Sequence, residues 1–301
     1  MPPPLLFSRR DYCLSLPHIG RPVPADGLDA TLLVRAIPGT ERSDLVGPWP
    51  YTVAPRPSRG GPAFEALRRE GYVSLTMFLR PDVPPSELEA LRAALDGVAE
   101  LAPLKDHYVR DPDLPAPTLR ARTRKNLRMS QRHWHLRRLA QAEIAPVCTV
   151  LQSQLAARRQ LSHYARVPDR HFQVIATLEG IEAVAAVDAD GPGAVLIAAR
   201  SGCETHLLHF LTSPRVIRTG GSYLLWMEAV RQWSGDGCVY LGGAPGSAAG
   251  PGVARFKARW ANRTAPVHLL KAILDEAAYR AFAAGAPGDG SFFPAYRSAG
   301  A

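Results

Sequence analysis

Apolar residues in this chain arrive in short runs whose spacing switches between two and about 3.6 residues, the periods of a strand and a helix. "YVSLTMFLRP" (72–81) is β-rich and stops at a proline, so it reads as a buried strand. "PPSELEALRAALDGVAE" (84–100) follows with helical spacing, and Ser86 is expected as its N-cap with Glu89 as capping-box partner. Ahead of them "ATLLVRAI" (30–37) and "PYTVAP" (50–55) read as strands, and "GPAFEALRREG" (61–71) as a short amphipathic helix. This strand–helix alternation predicts an α/β fold. With 28 prolines and 25 glycines among 301 residues, the elements must be short and joined by tight turns.

The second half continues the pattern. "TLRARTRKNLRMSQRHWHLRRLA" (118–140) reads as one cationic helix, "APVCTVLQSQLAARRQLSHY" (145–164) as a second, and "HFQVIATLEG" (171–180) as a third. "EAVAAVDAD" (182–190), "GAVLIAARSG" (193–202) and "ETHLLHFLT" (204–212) are strand-like, with His206 and His209 expected on opposite faces of the last. A helix (222–237), the short strand "CVYLGG" (238–243), a strand (265–275) and a helix (276–285) complete the order.

Cys13, Cys148, Cys203 and Cys238 are far apart, without a CxxC or Cys/His ligand spacing, so neither a disulfide scaffold nor a metal site is expected. That usage fits a reducing cytoplasm. No run of 18 apolar residues occurs, so a membrane span is not expected either. The net charge of +9 is local: 114–142 contains no acid but holds Arg120, Arg122, Arg124, Lys125, Arg128, Arg132, Arg137 and Arg138. Without those eight the net charge falls to +1. Either a polyanion partner such as RNA or a solvated helix face explains such a segment.

Three stretches carry chemistry. "RTRKNLRMSQRHW" (122–134) supplies the basic stripe Arg124, Lys125, Arg128 and Arg132. "IRTGGSYLLWMEAVRQWSGDGCVYLGG" (217–243) places Gly220, Gly221 and Ser222 at a helix start, where backbone N–H groups and the helix dipole can hold an anion. "GPGVARFKARW" (250–260) delivers Phe256 and Lys257 between Arg255 and Arg259. Read as a strand, it puts Arg255, Lys257 and Arg259 on one face.

These motifs, in this order, resemble the FemABX-type aminoacyl-tRNA-dependent transferases of the GNAT acyltransferase superfamily. The "G-x-x-x-F-K" phrase is the most specific. The resemblance covers about 115–275 of the sequence and implies two GNAT-like domains with mixed, mostly antiparallel sheets. The expected boundaries are 1–138 for a reduced first domain and 139–276 for the second, with 277–301 packing back on the first. The coiled-coil arm of some members is not expected, because 139–164 is too short for it. By resemblance Lys257 is catalytic, stabilising developing negative charge, with Phe256 in support. Arg255, Arg259, Arg124, Lys125, Arg128 and Arg132 would hold RNA phosphate. Arg215, Arg218, Gly220, Gly221, Ser222, Tyr164 and Tyr240 are placed near the substrates.

The implied function is transfer of an amino acid from a charged tRNA to an amine, forming an amide. The acceptor would be a peptidoglycan precursor or a peptide natural-product intermediate, free or carrier-bound. No cofactor, metal or DNA partner is expected beyond aminoacyl-tRNA as co-substrate. An acyl-CoA-dependent GNAT N-acyltransferase is the main alternative. Against it, the usual phosphate-binding turn has glycine three residues after its first Arg or Gln, and here Arg218 stands three after Arg215. A non-catalytic RNA-binding module is a further alternative. No histidine among His133, His135, His163, His171, His206 and His209 is singled out as a general base. The chain also lacks a nucleophile elbow and a Walker-type loop.

Overall fold

A computed structural model describes residues 5–158, 166–244, 250–284 and 292–300. Its elements begin with a helical turn α1 (Arg10–Cys13), strands β1 (Arg21–Ala25), β2 (Ala30–Ala36) and β3 (Ser43–Val46), and helix α2 (Pro57–Arg69). Next come β4 (Ser74–Phe78), α3 (Pro85–Ala94), β5 (Glu100–Arg110), α4 (Ala121–Ser130), β6 (His135–Arg138), α5 (Gln141–Ala156) and α6 (Asp169–Ile175). Then follow β7 (Ile181–Asp188), β8 (Gly191–Ser201), β9 (Glu204–Thr212), α7 (Pro214–Thr219), α8 (Gly221–Trp233) and β10 (Cys238–Gly242). The last are α9 (Gly250–Lys257), β11 (Arg263–Ile273) and α10 (Glu276–Ala283). The strands form a mixed, mostly antiparallel sheet of eleven, ordered β1-β2-β3-β4-β11-β5-β10-β9-β8-β7-β6. The expected α/β class and mixed pairing are therefore present. The longest helix among the described residues is α5, with 16 residues.

The chain divides into two compact units, a first chiefly of Asp106–Leu161 and Pro168–Ala265 and a second chiefly of Phe7–Lys105 and Pro266–Ala301. In the first unit β8 is flanked by β7 and β9 in antiparallel register, with Ala185 opposite Val195 and Ala194 opposite Thr212. Helix α8 packs on one face, burying Leu225, Trp226, Ala229 and Trp233 against Leu196 and Ala198. Helix α5 packs on β8 and β9, and α6 packs on α5. Covering on both faces is why "GAVLIAAR" is a continuous apolar run rather than an alternating one.

In the second unit Phe64 and Leu67 of α2 and Leu88 and Leu91 of α3 bury against Leu32, Leu45, Leu75, Met77 and Leu270 of the strands. Asp44, fully buried on β3, accepts from Arg35 (2.8 Å) and from Arg297 (2.6 Å). Tyr296 Oη also hydrogen-bonds Asp44 (3.1 Å) and lies 2.7 Å from Ser74 Oγ. Burial, with the Asp44 charge beside it, pushes the Tyr296 phenol well above its ordinary range.

Two local expectations are corrected. Helix α3 begins two residues earlier than expected, with Pro84 in place of Ser86 as N-cap and no side-chain cap. Pro85, whose φ is already helical, makes that start possible, and Glu89 pairs with Arg92 instead of capping. The cationic helix is also shorter. It ends at Ser130, whose Oγ bonds Asn126 O and Gly220 O, and the chain turns to bury Trp134 before β6 starts.

Candidate active site

The site lies within the first unit, where two neighbouring strands stop pairing. Parallel pairing of β10 with β9 covers only Cys238–Tyr240 against Glu204–His206. Strand β9 continues along β8 to Thr212. Beyond His206 a cleft of about 840 Å³ opens. Its walls are Leu207, Leu208 and Phe210 of β9, Leu241 of β10, Ser222, Tyr223 and Trp226 of α8, and Val253, Arg255, Phe256 and Lys257 of α9.

A bulge shapes the β9 wall. Leu207 faces Ala198 and His209 faces Ile197, so Leu208 is the extra residue. The bulge shifts the alternation by one and puts His206 and His209 on the same face, correcting the expectation of opposite faces. They still form no joint site. His206 stacks on Tyr240 at 4.6 Å, and His209 Nε2 is 2.8 Å from Nε2 of the buried His171.

Lys257 is seated by the glycines that end β10. Its Nζ donates to Gly243 O at 2.8 Å. Gly242 has φ +76°, and a Cβ there would lie 3.1 Å from that Nζ. The segment carrying Lys257 is a helix, not the strand expected. Charge alternates in R-F-K-A-R-W, but the apolar pair Phe256 and Trp260 is four residues apart, which is the helical interval. One turn apart in the same way, Arg255 is exposed and lines the cleft. Arg259 lies over the Tyr223 and Phe256 rings at 5.9 and 6.0 Å. Phe256 sits in an aromatic group with Trp226 (5.3 Å), Tyr223 (5.5 Å) and a parallel Phe210 (6.4 Å). After α9 the chain is tied down by Asn262, which accepts from Asp111 N, and by Arg263, which donates to the Asp111 carboxylate. That Arg263 bond holds the Asp111 carboxyl below its ordinary range.

The start of α8 forms another part of the wall. Gly220, its N-cap, has φ +76°, and a Cβ there would stand 3.0 Å from Ser130 Oγ. Thus α4 abuts the helix start that borders the cleft. Gly220 and Ser222 line the cleft, whereas Gly221 is buried, with room for a Cβ taken by the Trp134 ring at 2.9 Å. Arg124, Lys125 and Arg128 on α4, and Arg132 in the turn after it, are exposed, and none makes an ion pair among the described residues.

Other expected site residues lie elsewhere. Arg215 pairs with Asp188 and Asp190, both at 2.9 Å, so its charge is already met. Arg218 is exposed and borders a separate cavity of about 760 Å³ beside α5 and α7. Tyr240 is buried in the sheet, because side chains alternate and its neighbour Leu241 takes the cleft side. Tyr164 lies outside the described residues. Tyr223, Trp226 and Phe210 had no sequence signal beyond apolar periodicity, so their place in the site appears only in three dimensions.

The electrostatics of the cleft are one-sided. Its charged lining residues among those described are Arg255 and Lys257, with no carboxylate. Nor does the sequence hold an acid anywhere in 205–227 or 237–274, the segments from which most of the wall is drawn. Among the described residues no group of His, Cys, Asp and Glu could hold a metal ion, and no helix is long and apolar enough to cross a membrane.

No protein-family model matches the sequence, and no curated protein matches it either. Solved structures do match. FemX superposes with a TM-score of 0.68 at 11% identity, covering 93% of this chain and 95% of FemX. The C-terminal domain of a putative lysylphosphatidylglycerol synthetase from Agrobacterium fabrum gives 0.59 at 13% identity, covering 89% and 87%. L-PGS from Bacillus licheniformis gives 0.58 at 12% identity, covering 92% and 95%. Sequence likeness is thus slight while the likeness of backbone spans nearly whole chains, and the chain has the FemABX-type, GNAT-like fold of FemX and L-PGS.

Proposed function

We propose that this chain transfers an aminoacyl group from a charged tRNA to an amine. One observation carries the proposal: a single cleft gathers Phe256, Lys257, Arg255 and the start of α8, and that helix start abuts α4 with its unpaired cations. The amine nitrogen attacks the ester carbonyl, a C–N bond forms and the ester C–O bond breaks. The amine proton ends on the released ribose hydroxyl. The Lys257 ammonium stabilises the tetrahedral oxyanion and the departing alkoxide, and Phe256 packs behind it. An acid-free, cationic cleft also favours the neutral, nucleophilic form of the incoming amine, because nearby positive charge and desolvation both lower its pKa. Arg255, Arg259 and the α4 cations hold phosphates of the tRNA.

The acceptor class is a peptidoglycan precursor or a peptide natural-product intermediate, and the site of action is the cytoplasm, where charged tRNA is available. Two GNAT-like domains, 1–138 and 139–276, with 277–301 closing on the first, belong to the same proposal. A second reading, an acyl-CoA donor, is favoured by Gly220 and Ser222 lining the cleft, since a helix start suits a pyrophosphate. Labelled charged tRNAs and labelled acetyl-CoA, offered in parallel with candidate amines, separate the two. RNase-sensitive transfer from tRNA is the expected result, and label moving only from acetyl-CoA overturns it.

A further inference from the structure

The composition of the cleft constrains the acyl group itself. The side chain of that group has little choice of surroundings, because its Cα is one bond from the reacting carbonyl. A carbonyl held at Lys257 Nζ therefore presses the side chain against the cleft wall, whereas the acceptor and the ribose extend outward. The apolar part of that wall is Leu207, Phe210, Trp226, Leu241, Val253 and Phe256, with His209, Thr212, Ser222 and Tyr223 as its neutral polar groups. A lysyl or arginyl side chain would enter beside Lys257 and Arg255 with no carboxylate to receive it, and an unpaired charge in such surroundings is strongly disfavoured. A glycyl or alanyl group would leave most of the wall facing water. Each further methylene that the wall covers strengthens binding roughly fourfold.

We propose that the acyl group this cleft takes is a large apolar one, aliphatic or aromatic. The proposal rests on the aminoacyl-tRNA reading for the donor, but not for the side chain. Two assays on the full chain test it. In the first, leucyl-, methionyl-, phenylalanyl-, alanyl-, glutamyl- and lysyl-tRNA are compared as donors to hydroxylamine, a small generic amine. In the second, 3′-aminoacylamino adenosines bearing the same six side chains are titrated, with binding followed by tryptophan fluorescence, since Trp226 lines the cleft.

A preference of at least about tenfold for the three apolar side chains is expected in both assays, from several methylenes at roughly fourfold each. An alanyl, glutamyl or lysyl group serving as well or better in either assay overturns the proposal. If no charged tRNA donates but the adenosine amides keep the apolar order, the donor reading fails and the acyl class stands. If no tRNA donates and the amides show no preference, both fall. A variant adds an independent check. A Cβ at Gly252, on the cleft wall, meets no atom within 4 Å, so Gly252→Leu adds apolar bulk to the wall without a clash at its Cβ. It is expected to erase the phenylalanyl over alanyl preference, and an unchanged ratio overturns the proposal.

Discussion

At the scale of single residues, Gly242 and Asp44 show two kinds of dependence. Gly242 combines a left-handed φ with a close approach to Lys257 Nζ. Replacing it by alanine costs about 1–2 kcal/mol for the left-handed conformation and also displaces the lysine. Gly39 has the same φ of +76° with open space around it, so Gly39→Ala is a matched control. Both variants should lose similar stability in thermal unfolding, but only Gly242→Ala should lose transfer. Equal transfer by the two would mean that Lys257 does not depend on this seat. Asp44→Ala belongs to stability alone. It leaves Arg35 and Arg297 without their buried partner, at a cost of roughly 3 kcal/mol in denaturant unfolding. A loss under about 0.5 kcal/mol, the size of a typical surface substitution, would contradict that account.

At the scale of elements, α4 presents a basic face that no carboxylate among the described residues meets. It buries Thr123, Leu127 and Ser130, while Arg124, Lys125 and Arg128 remain exposed. If those three contact phosphates, changing all three to alanine should reduce the slope of log affinity against log salt by about 2 to 3. Filter binding of tRNA across a salt series measures this, and an unchanged slope would assign the stripe to a solvated face. The elements also mark where sequence patterns mislead. Charge alternation in 255–260 imitates a strand, although the Phe256–Trp260 interval reveals the helix. The single long helix expected over 118–140 breaks because Ser130 is bonded across to Gly220 and Trp134 needs burial, and neither contact is local in sequence.

At the scale of the whole molecule, the α/β order was legible because periodicity and proline–glycine punctuation act locally. The cleft was not legible in the same way. Its opening depends on where β9 and β10 cease to pair, and its aromatic wall on which sides of α8 and α9 meet. The bulge at Leu208 is invisible in a pattern of alternating residues and reverses the side on which His209 falls. Arg215 looked like a phosphate ligand by position, yet Asp188 and Asp190 reach it from residues more than 20 positions away.

The proposed mechanism rests on Lys257 stabilising charge formed during transfer from charged tRNA. Single-turnover transfer of labelled amino acid by the wild-type protein and by Lys257→Ala, with tRNA affinity measured alongside, tests it most directly. The expected rate is lower by about 10²–10³ with tRNA affinity changed only severalfold, the signature of a lost transition-state contact. An unchanged transfer rate in Lys257→Ala, with tRNA still bound, would contradict it.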